Sequence, residues 1–246
     1  MQQIDLREDE RIDDLQRNGY RIIQSPSHFC FGMDAVLLSA FANIKAGAKV
    51  LDLCSGNGVV PILIAARHPD ADITGIEIQD IIANMGRRSV IMNELQSRVR
   101  IETGDIKDAP MRFGAGTYDV VTVNPPYMNE NHGLTNPDDS KALARHEIMC
   151  NLDDVIRVSA AVLKSGGHFY MVHRPHRLTE IFDTMRKYKL EPKRLRMVHP
   201  YVNSEAKMVL IEGTRSGGTW LQVEPPLIIY EQEGVYTKEL RSLYED

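Results

Sequence analysis

Asn124-Pro125-Pro126-Tyr127 is the stretch of this 246-residue chain whose residue types are best suited to holding a planar nitrogen. An exocyclic amine on an aromatic ring delocalises its lone pair, and it becomes a useful nucleophile only when its hydrogens are drawn out of the ring plane. Two acceptors do this. The Asn124 side-chain oxygen and the Pro125 carbonyl can serve, because the prolines fix the backbone direction and bring no competing N–H. Tyr127 offers an aromatic face on which a splayed-out base can stack, worth about 1 to 3 kcal/mol per base in nucleic-acid sites. Orientation and electrostatics would carry the chemistry, with no strong base required. The motif restricts the acceptor to a planar amino or amide nitrogen and does not choose between them. Without context it is also an ordinary proline turn after a buried strand, so its position matters.

A second constellation is Asp52-Leu53-Cys54-Ser55-Gly56-Asn57-Gly58. Glycines directly after a strand let a cofactor approach the backbone, and Pro61 stands where the third glycine of a dinucleotide loop would be. A dinucleotide is therefore disfavoured. Glu77 closes the next strand about 20 residues on, where an acid hydrogen-bonds ribose hydroxyls in folds of this type. Asp105, at the end of a third strand, could accept from an adenine amino group while Ile106 packs on the ring. Gly104-Asp105 is also a common turn, and the loop and its acid also read as a helix-capping turn and a solvated strand end.

Positioning these residues requires strands that all end on one edge. Val50 to Cys54, Ile73 to Ile78, Val99 to Thr103 and Tyr118 to Val123 are short β-rich runs, and Val59 to Arg67 and Gln79 to Leu95 have helical spacing between them. Such alternation predicts a parallel sheet covered on both faces, with binding residues at the carboxyl ends of its strands. Leu152 to Leu163 is amphipathic and is expected to stop at Ser165-Gly166-Gly167 before a strand over His168 to Val172. A helix over Arg177 to Tyr188 precedes Leu195 to His199 and Lys207 to Gly213, which suggest a closing antiparallel pair. Asp34-Ala35-Val36-Leu37-Leu38 has the pattern of a capped helix start. Met128 to Glu147 is a long polar stretch, either disordered or a substrate loop. No linker divides the chain, so one domain over 1–246 is expected, with an N-terminal extension of about 1–45 on the cofactor side.

The bulk properties exclude several function classes. Cys30, Cys54 and Cys150 form no C-x-x-C pair and leave one over, which argues against a disulfide framework and for a reducing compartment. Neither a secretory start nor a membrane-length apolar run is present, so a cytoplasmic protein is expected. No G-x-S-x-G or P-loop sequence occurs. His173-Arg174-Pro175-His176 lacks the neighbours to complete four metal ligands, and no metal is expected. The net charge of −5 gives no global case for nucleic acid, but Arg186, Lys187, Lys189, Lys193, Arg194 and Arg196 crowd one segment against Glu191 alone. That segment is either a phosphate-binding footprint or a solvated helix end.

The loop, the paired acid and N-P-P-Y together resemble the Rossmann-like class I methyltransferases, in the branch that modifies amino groups of adenine or cytosine and the amide of glutamine. The likeness covers Arg21 to about Gly213. Within it, Asn18-Gly19-Tyr20, Phe31 to Leu38, the N-P-P-Y and Arg145-His146-Glu147 are together similar to the tRNA1(Val) adenine-37 N6-methyltransferase family. The resemblance implies an α/β fold with a mostly parallel seven-stranded sheet, helices on both faces and an antiparallel closing strand. It implies S-adenosylmethionine as cofactor, with Asp52, Gly56, Glu77, Asp105 and Asn124 in the cofactor and acceptor positions. Cys54, Gly58, Ile78 and Ile106 join that set, and Phe31, Gly32 and Asp34 lie against the methionine end. Cys54-Ser55 departs from the commoner G-T-G-x-G while the later glycines remain. On the substrate side it implies tRNA, bound through Tyr127, Lys193, Arg194 and Arg196. Arg145 and His146 either order the loop over the substrate or form a surface salt-bridge cluster. Glutamine methylation of a translation factor is the alternative, although that branch normally carries an added N-terminal helical domain and only a short segment precedes Phe31; guanine-N2 methylation of rRNA is another. The likeness does not imply an oligomeric state.

Overall fold

The computed structural model describes residues 4–28, 30–125 and 150–244. Its frame is the run β3 (Lys49–Leu53), α2 (Val59–Arg67), β4 (Asp72–Glu77), α3 (Asp80–Met92), β5 (Val99–Thr103) and β6 (Tyr118–Val123). After it come α5 (Leu152–Val162), β7 (Leu163–His173), α6 (Leu178–Lys187), β8 (Leu190–His199) and β9 (Met208–Arg215); a short α4 (Ala109–Phe113) precedes β6. The strands pair in the order β5-β4-β3-β6-β7-β9-β8, parallel from β5 to β7 and antiparallel at β9.

The expected seven strands are therefore present. Two further two-residue strands, β10 (Gln222–Val223) and β11 (Leu227–Ile228), pair parallel with the outer edge of β8 and bring the sheet to nine. These central strands are apolar on both faces because helices cover both. One core cluster joins Val50, Ile73 and Val120 to α1 (Met33–Phe41), α2 and α7 (Lys238–Tyr244). The other joins Leu51, Ile76 and Val121 to α5 and α6. Helix α2 is buried from Val59 to Ala65, as befits a helix with no polar face. Helix α5 is capped by the Asn151 side chain, which accepts from the Asp154 N–H at 2.9 Å, and its first turn carries Asp153 and Asp154 toward the positive end of the helix dipole.

Two expectations need correction. Ser165-Gly166-Gly167 does not separate α5 from its strand: Leu163 already pairs with Tyr118, and His168 pairs next with Val120, so the intervening residues bulge out of β7. Gly166 takes the left-handed backbone (φ +78°) that such a bulge needs. Helix α1 is capped by Gly32 with no side-chain cap, and Asp34 lies inside its first turn, leaving its carboxylate for other work. Within the expected N-terminal extension, β1 (Arg11–Asp14) and β2 (Arg21–Gln24) form an antiparallel hairpin. This hairpin docks on α3 through Ile23 N–H to Ser89 Oγ (2.9 Å) and through the Asn93 side chain, which bonds the Arg21 backbone in both directions.

Candidate functional site: a strand-end cluster around Glu77 and Asn124

The carboxyl ends of β3, β4, β5 and β6 bring the expected residues to one edge. After β3 the chain turns sharply, with positive φ at Cys54 (+56°), Gly56 (+56°) and Gly58 (+81°). Glycine suits two of these; Cys54 bears the strain of a side chain in that region. The turn aims the Gly56 N–H at Glu77, whose Oε2 accepts it at 3.0 Å, while Oε1 accepts the Gln79 N–H at 3.0 Å. Glu77 is only 6% exposed, yet each oxygen retains a lone pair. It both ties the loop to β4 and remains able to receive hydroxyls. Gly104, after β5, donates to the Glu77 carbonyl at 2.9 Å. The tight packing continues beneath the loop, where a Cβ on Gly75 would stand 2.3 Å from Ser55 Oγ.

Asp52 lies under this loop rather than on its surface. It is 1% exposed and accepts from the Thr122 hydroxyl at 2.6 Å. Burial pushes its pKa up to about 7; the Thr122 bond opposes that rise and the nearby Glu77 charge adds to it. Because the unfolded carboxyl ionises near 3.8, folding stability is full below that pH and falls as pH rises from there toward 7. Asp52→Asn is therefore expected to stabilise the protein by up to roughly 4 kcal/mol at pH 8 and by almost nothing at pH 4. Urea melts at the two pH values check this, and a gain independent of pH would contradict it.

Asp105 caps a single 3-10 turn, its Oδ1 accepting from the Lys107 N–H at 2.9 Å. Ile106 is buried in the core with Leu53 and Ile76, so of the two apolar candidates Ile78, half-buried beside Glu77, is the more accessible. Cys54 Sγ sits 4.0 Å from Cys150 Sγ, and that hydrogen bond together with burial pushes its thiol well above the usual range.

At the end of β6 the Asn124 Nδ2 donates to Asp34 Oδ2 at 3.0 Å. The Asn124 Oδ1 is buried and has no hydrogen-bond partner among the described residues. Pro125 is buried beside it. Phe31 is held by its N–H to Gln24 Oε1 (3.1 Å), which links the hairpin to the start of α1. Two residues that sequence reasoning passed over belong here. Thr122 is Asp52's register partner across β3 and β6, and Asn57, 0% exposed, donates to the Ile23 carbonyl at 3.0 Å. A lone threonine in an apolar strand was the available signal for the first. Pro126, Tyr127, Arg145 and His146 lie outside the described residues.

The family model described as methyltransferase small domain matches residues 22–190. The chain belongs to that family. The methyltransferase small domain begins within β2, takes in the glycine loop and Asn124, and ends at the start of β8. Its relatives include a tRNA1(Val) (adenine(37)-N6)-methyltransferase of Porphyromonas gingivalis, 30% identical over 223 residues, covering 87% of this chain and 86% of the relative. Among solved structures, a predicted O-methyltransferase from Agrobacterium tumefaciens superposes with a TM-score of 0.70 at 23% identity, covering 86% of this chain and 95% of that one. A geranyl diphosphate C-methyltransferase from Streptomyces coelicolor, solved with S-adenosyl-L-homocysteine, has a TM-score of 0.57 at 15% identity, covering 74% and 79%. Those likenesses establish the fold; acceptors as different as an oxygen and a carbon leave the substrate to the site itself.

Five of the six cations of the expected basic surface bond acceptors within the chain. Arg194 Nε bonds Glu212 Oε2 at 2.7 Å, its Nη1 reaches Glu224, and its Nη2 donates to the Phe41 carbonyl at 2.7 Å. Its guanidinium also lies 3.8 Å from the Phe41 ring centroid. Arg196 pairs with Glu239 and the Pro225 carbonyl, and Lys193 donates to the Gly218 carbonyl. Arg186 and Lys187 pair with Glu191 and Asp153. Lys193, Arg194 and Arg196 lie on β8, and Arg186 and Lys187 in the last turn of α6. No group of three His, Cys, Asp or Glu side chains among the described residues could hold a metal ion, and no described helix is long and apolar enough to cross a membrane.

Proposed function

We propose that this protein transfers a methyl group from S-adenosylmethionine to the N6 amino group of an adenine in tRNA, with adenine 37 of tRNA1(Val) as the target. The observation that carries this reading is the buried, unpartnered Asn124 Oδ1 at the carboxyl end of β6, beside the Pro125 backbone. A carbonyl oxygen withdrawn from water without a donor is costly, and an amino group supplies the missing hydrogen. The named relatives support tRNA as the substrate class, and a cytoplasmic setting goes with such a substrate.

The residues also fit the cofactor. Gly56 and Gly58 present backbone without side chains, and Glu77 offers spare lone pairs to a pair of ribose hydroxyls. Asp105 and Ile78 would face the adenine, and the Phe31 to Asp34 turn the methionine end. When bound, S-adenosylmethionine supplies an electrophilic methyl on a sulfonium. Asn124 Oδ1 and the Pro125 carbonyl would accept hydrogen bonds from the two amino N–H groups, which restores lone-pair character to the nitrogen and fixes its direction of attack. As nitrogen gains positive charge these acceptors bind it more strongly, so their stabilisation is largest in the transition state. Tyr127 would stack the extruded base and Arg145 and His146 would hold the loop over it.

Methyl transfer from labelled cofactor to bulk RNA, to DNA and to a translation release factor tests the reading. Label is expected in RNA. Label in the protein alone would move the assignment to glutamine methylation.

A further inference from the structure

Asn124 can act as an acceptor only if its amide points the right way, and the fold contains a device that decides this. Asp34 Oδ2 lies 3.0 Å from Asn124 Nδ2, across 90 residues of chain. A carboxylate only accepts, so the amide must turn its NH2 toward Asp34 and its oxygen away. The reverse orientation would set two acceptors against each other in a site withdrawn from water. Oδ1 is the atom left buried and unpartnered among the described residues.

Asp34 is itself held. Its Oδ1 accepts from the Ala35 N–H at 3.0 Å in the first turn of α1, where the helix dipole favours a negative charge. Gly32 makes room for it: a Cβ there would stand 2.9 Å from Asp34 Oδ1. Gly32 has an ordinary φ of −112°, so this clearance, not backbone freedom, is what its missing side chain provides.

We propose that Asp34 is a positioning residue that sets the polarity of the Asn124 amide, so that the site takes a nucleobase edge bearing an amino group and rejects a carbonyl oxygen in the same place. This deepens the reading that Asn124 receives the target amine and rests on it. With the amide reversed, the same side chain would donate, and a keto edge would be welcome. One carboxylate thereby separates adenine from hypoxanthine without touching either.

The first arm of the test needs neither substrate nor cofactor. In the nitrogen-15 labelled protein, the Asn124 side-chain amide is expected to exchange slowly; Asp34→Ala should speed it by roughly tenfold or more, and Asp34→Asn, which keeps one acceptor oxygen, should retain part of the protection. Gly32→Ala is expected to fall between. In the second arm, Asp34→Ala should lower kcat on the order of 10²-fold at saturating cofactor, with Asp34→Asn restoring part of the rate. In the third arm, an anticodon-stem oligonucleotide carrying adenine should outcompete its hypoxanthine counterpart by roughly tenfold on the wild type and lose that advantage on Asp34→Ala. Unchanged Asn124 exchange in Asp34→Ala overturns the proposal, as does a variant that keeps kcat but binds cofactor tenfold more weakly or keeps its base preference. A wild type inert toward RNA would remove the substrate reading alone, and the exchange arm would still decide whether Asp34 orients Asn124.

Discussion

Asn124→Ala is expected to lower kcat for methyl transfer by about 10² to 10³-fold while leaving cofactor affinity close to that of the wild type. The size follows from what is removed. Two acceptors are available to the amino hydrogens, the Asn124 oxygen and the Pro125 carbonyl, and only the first depends on a side chain. With it gone, the nitrogen keeps one anchored hydrogen and regains less lone-pair character, and the charge that grows on nitrogen meets one dipole fewer. An interaction made chiefly in the transition state shows in kcat more than in KM. The fold should survive, because Asn124 is half-buried at a strand end and its amide bonds Asp34, which keeps its Ala35 contact. Single-turnover rates with saturating RNA and cofactor, set beside cofactor binding and a thermal melt, check this. Full activity in Asn124→Ala would show that the side-chain oxygen plays no part.

Arg194→Met has the other large expected effect, on stability rather than rate. The guanidinium joins Glu212 and Glu224, donates to the carbonyl of Phe41 at the end of α1, and lies against the Phe41 ring. Burial pushes the Glu212 carboxyl up, but its bonds to His168 and Arg194 outweigh that and hold it below the usual range. Removing the arginine leaves a largely buried carboxylate without its arginine partner, still bonded to His168, and frees the last turn of α1. Breaking such a pair costs about 3 kcal/mol, the lower end for buried ion pairs, which for a protein of this size is roughly 6 to 12 °C in Tm. The loss should shrink as pH falls, since a carboxylate with a depressed folded pKa stabilises only above that pKa. Melts at pH 8 and pH 4 measure both quantities. If Arg194 instead bound phosphate, the melt would barely move and the salt dependence of RNA binding would fall by about one ion.

That contrast marks where the sequence was readable. Short β-branched runs alternating with helical spacing gave away β3 to β6, since strands buried on both faces show as continuous apolar stretches. Glu77 and Asn124 were legible because each ends such a run, where a parallel sheet exposes residues to a ligand. The hydrogen bond from Asn124 to Asp34 was not legible, because the two residues are 90 apart in the chain and only folding brings them together. The partners of the basic run from Arg186 to Arg196 were not legible as such: Asp153 lies in an earlier element, Glu212, Glu224 and Glu239 lie in later ones, and only Glu191 stands in the run itself. Ser165-Gly166-Gly167 had the composition of a helix stop, whereas α5 ends by passing straight into β7 and the glycines serve a bulge.

The most direct test of the central claim is the identity of the methylated nucleoside. Unmodified tRNA1(Val) transcript, incubated with the enzyme and labelled S-adenosylmethionine, is digested to nucleosides and separated by mass. N6-methyladenosine, lost when the adenine at position 37 is replaced, is the predicted product; N2-methylguanosine, or no methylated nucleoside while a protein glutamine takes the label, would contradict it.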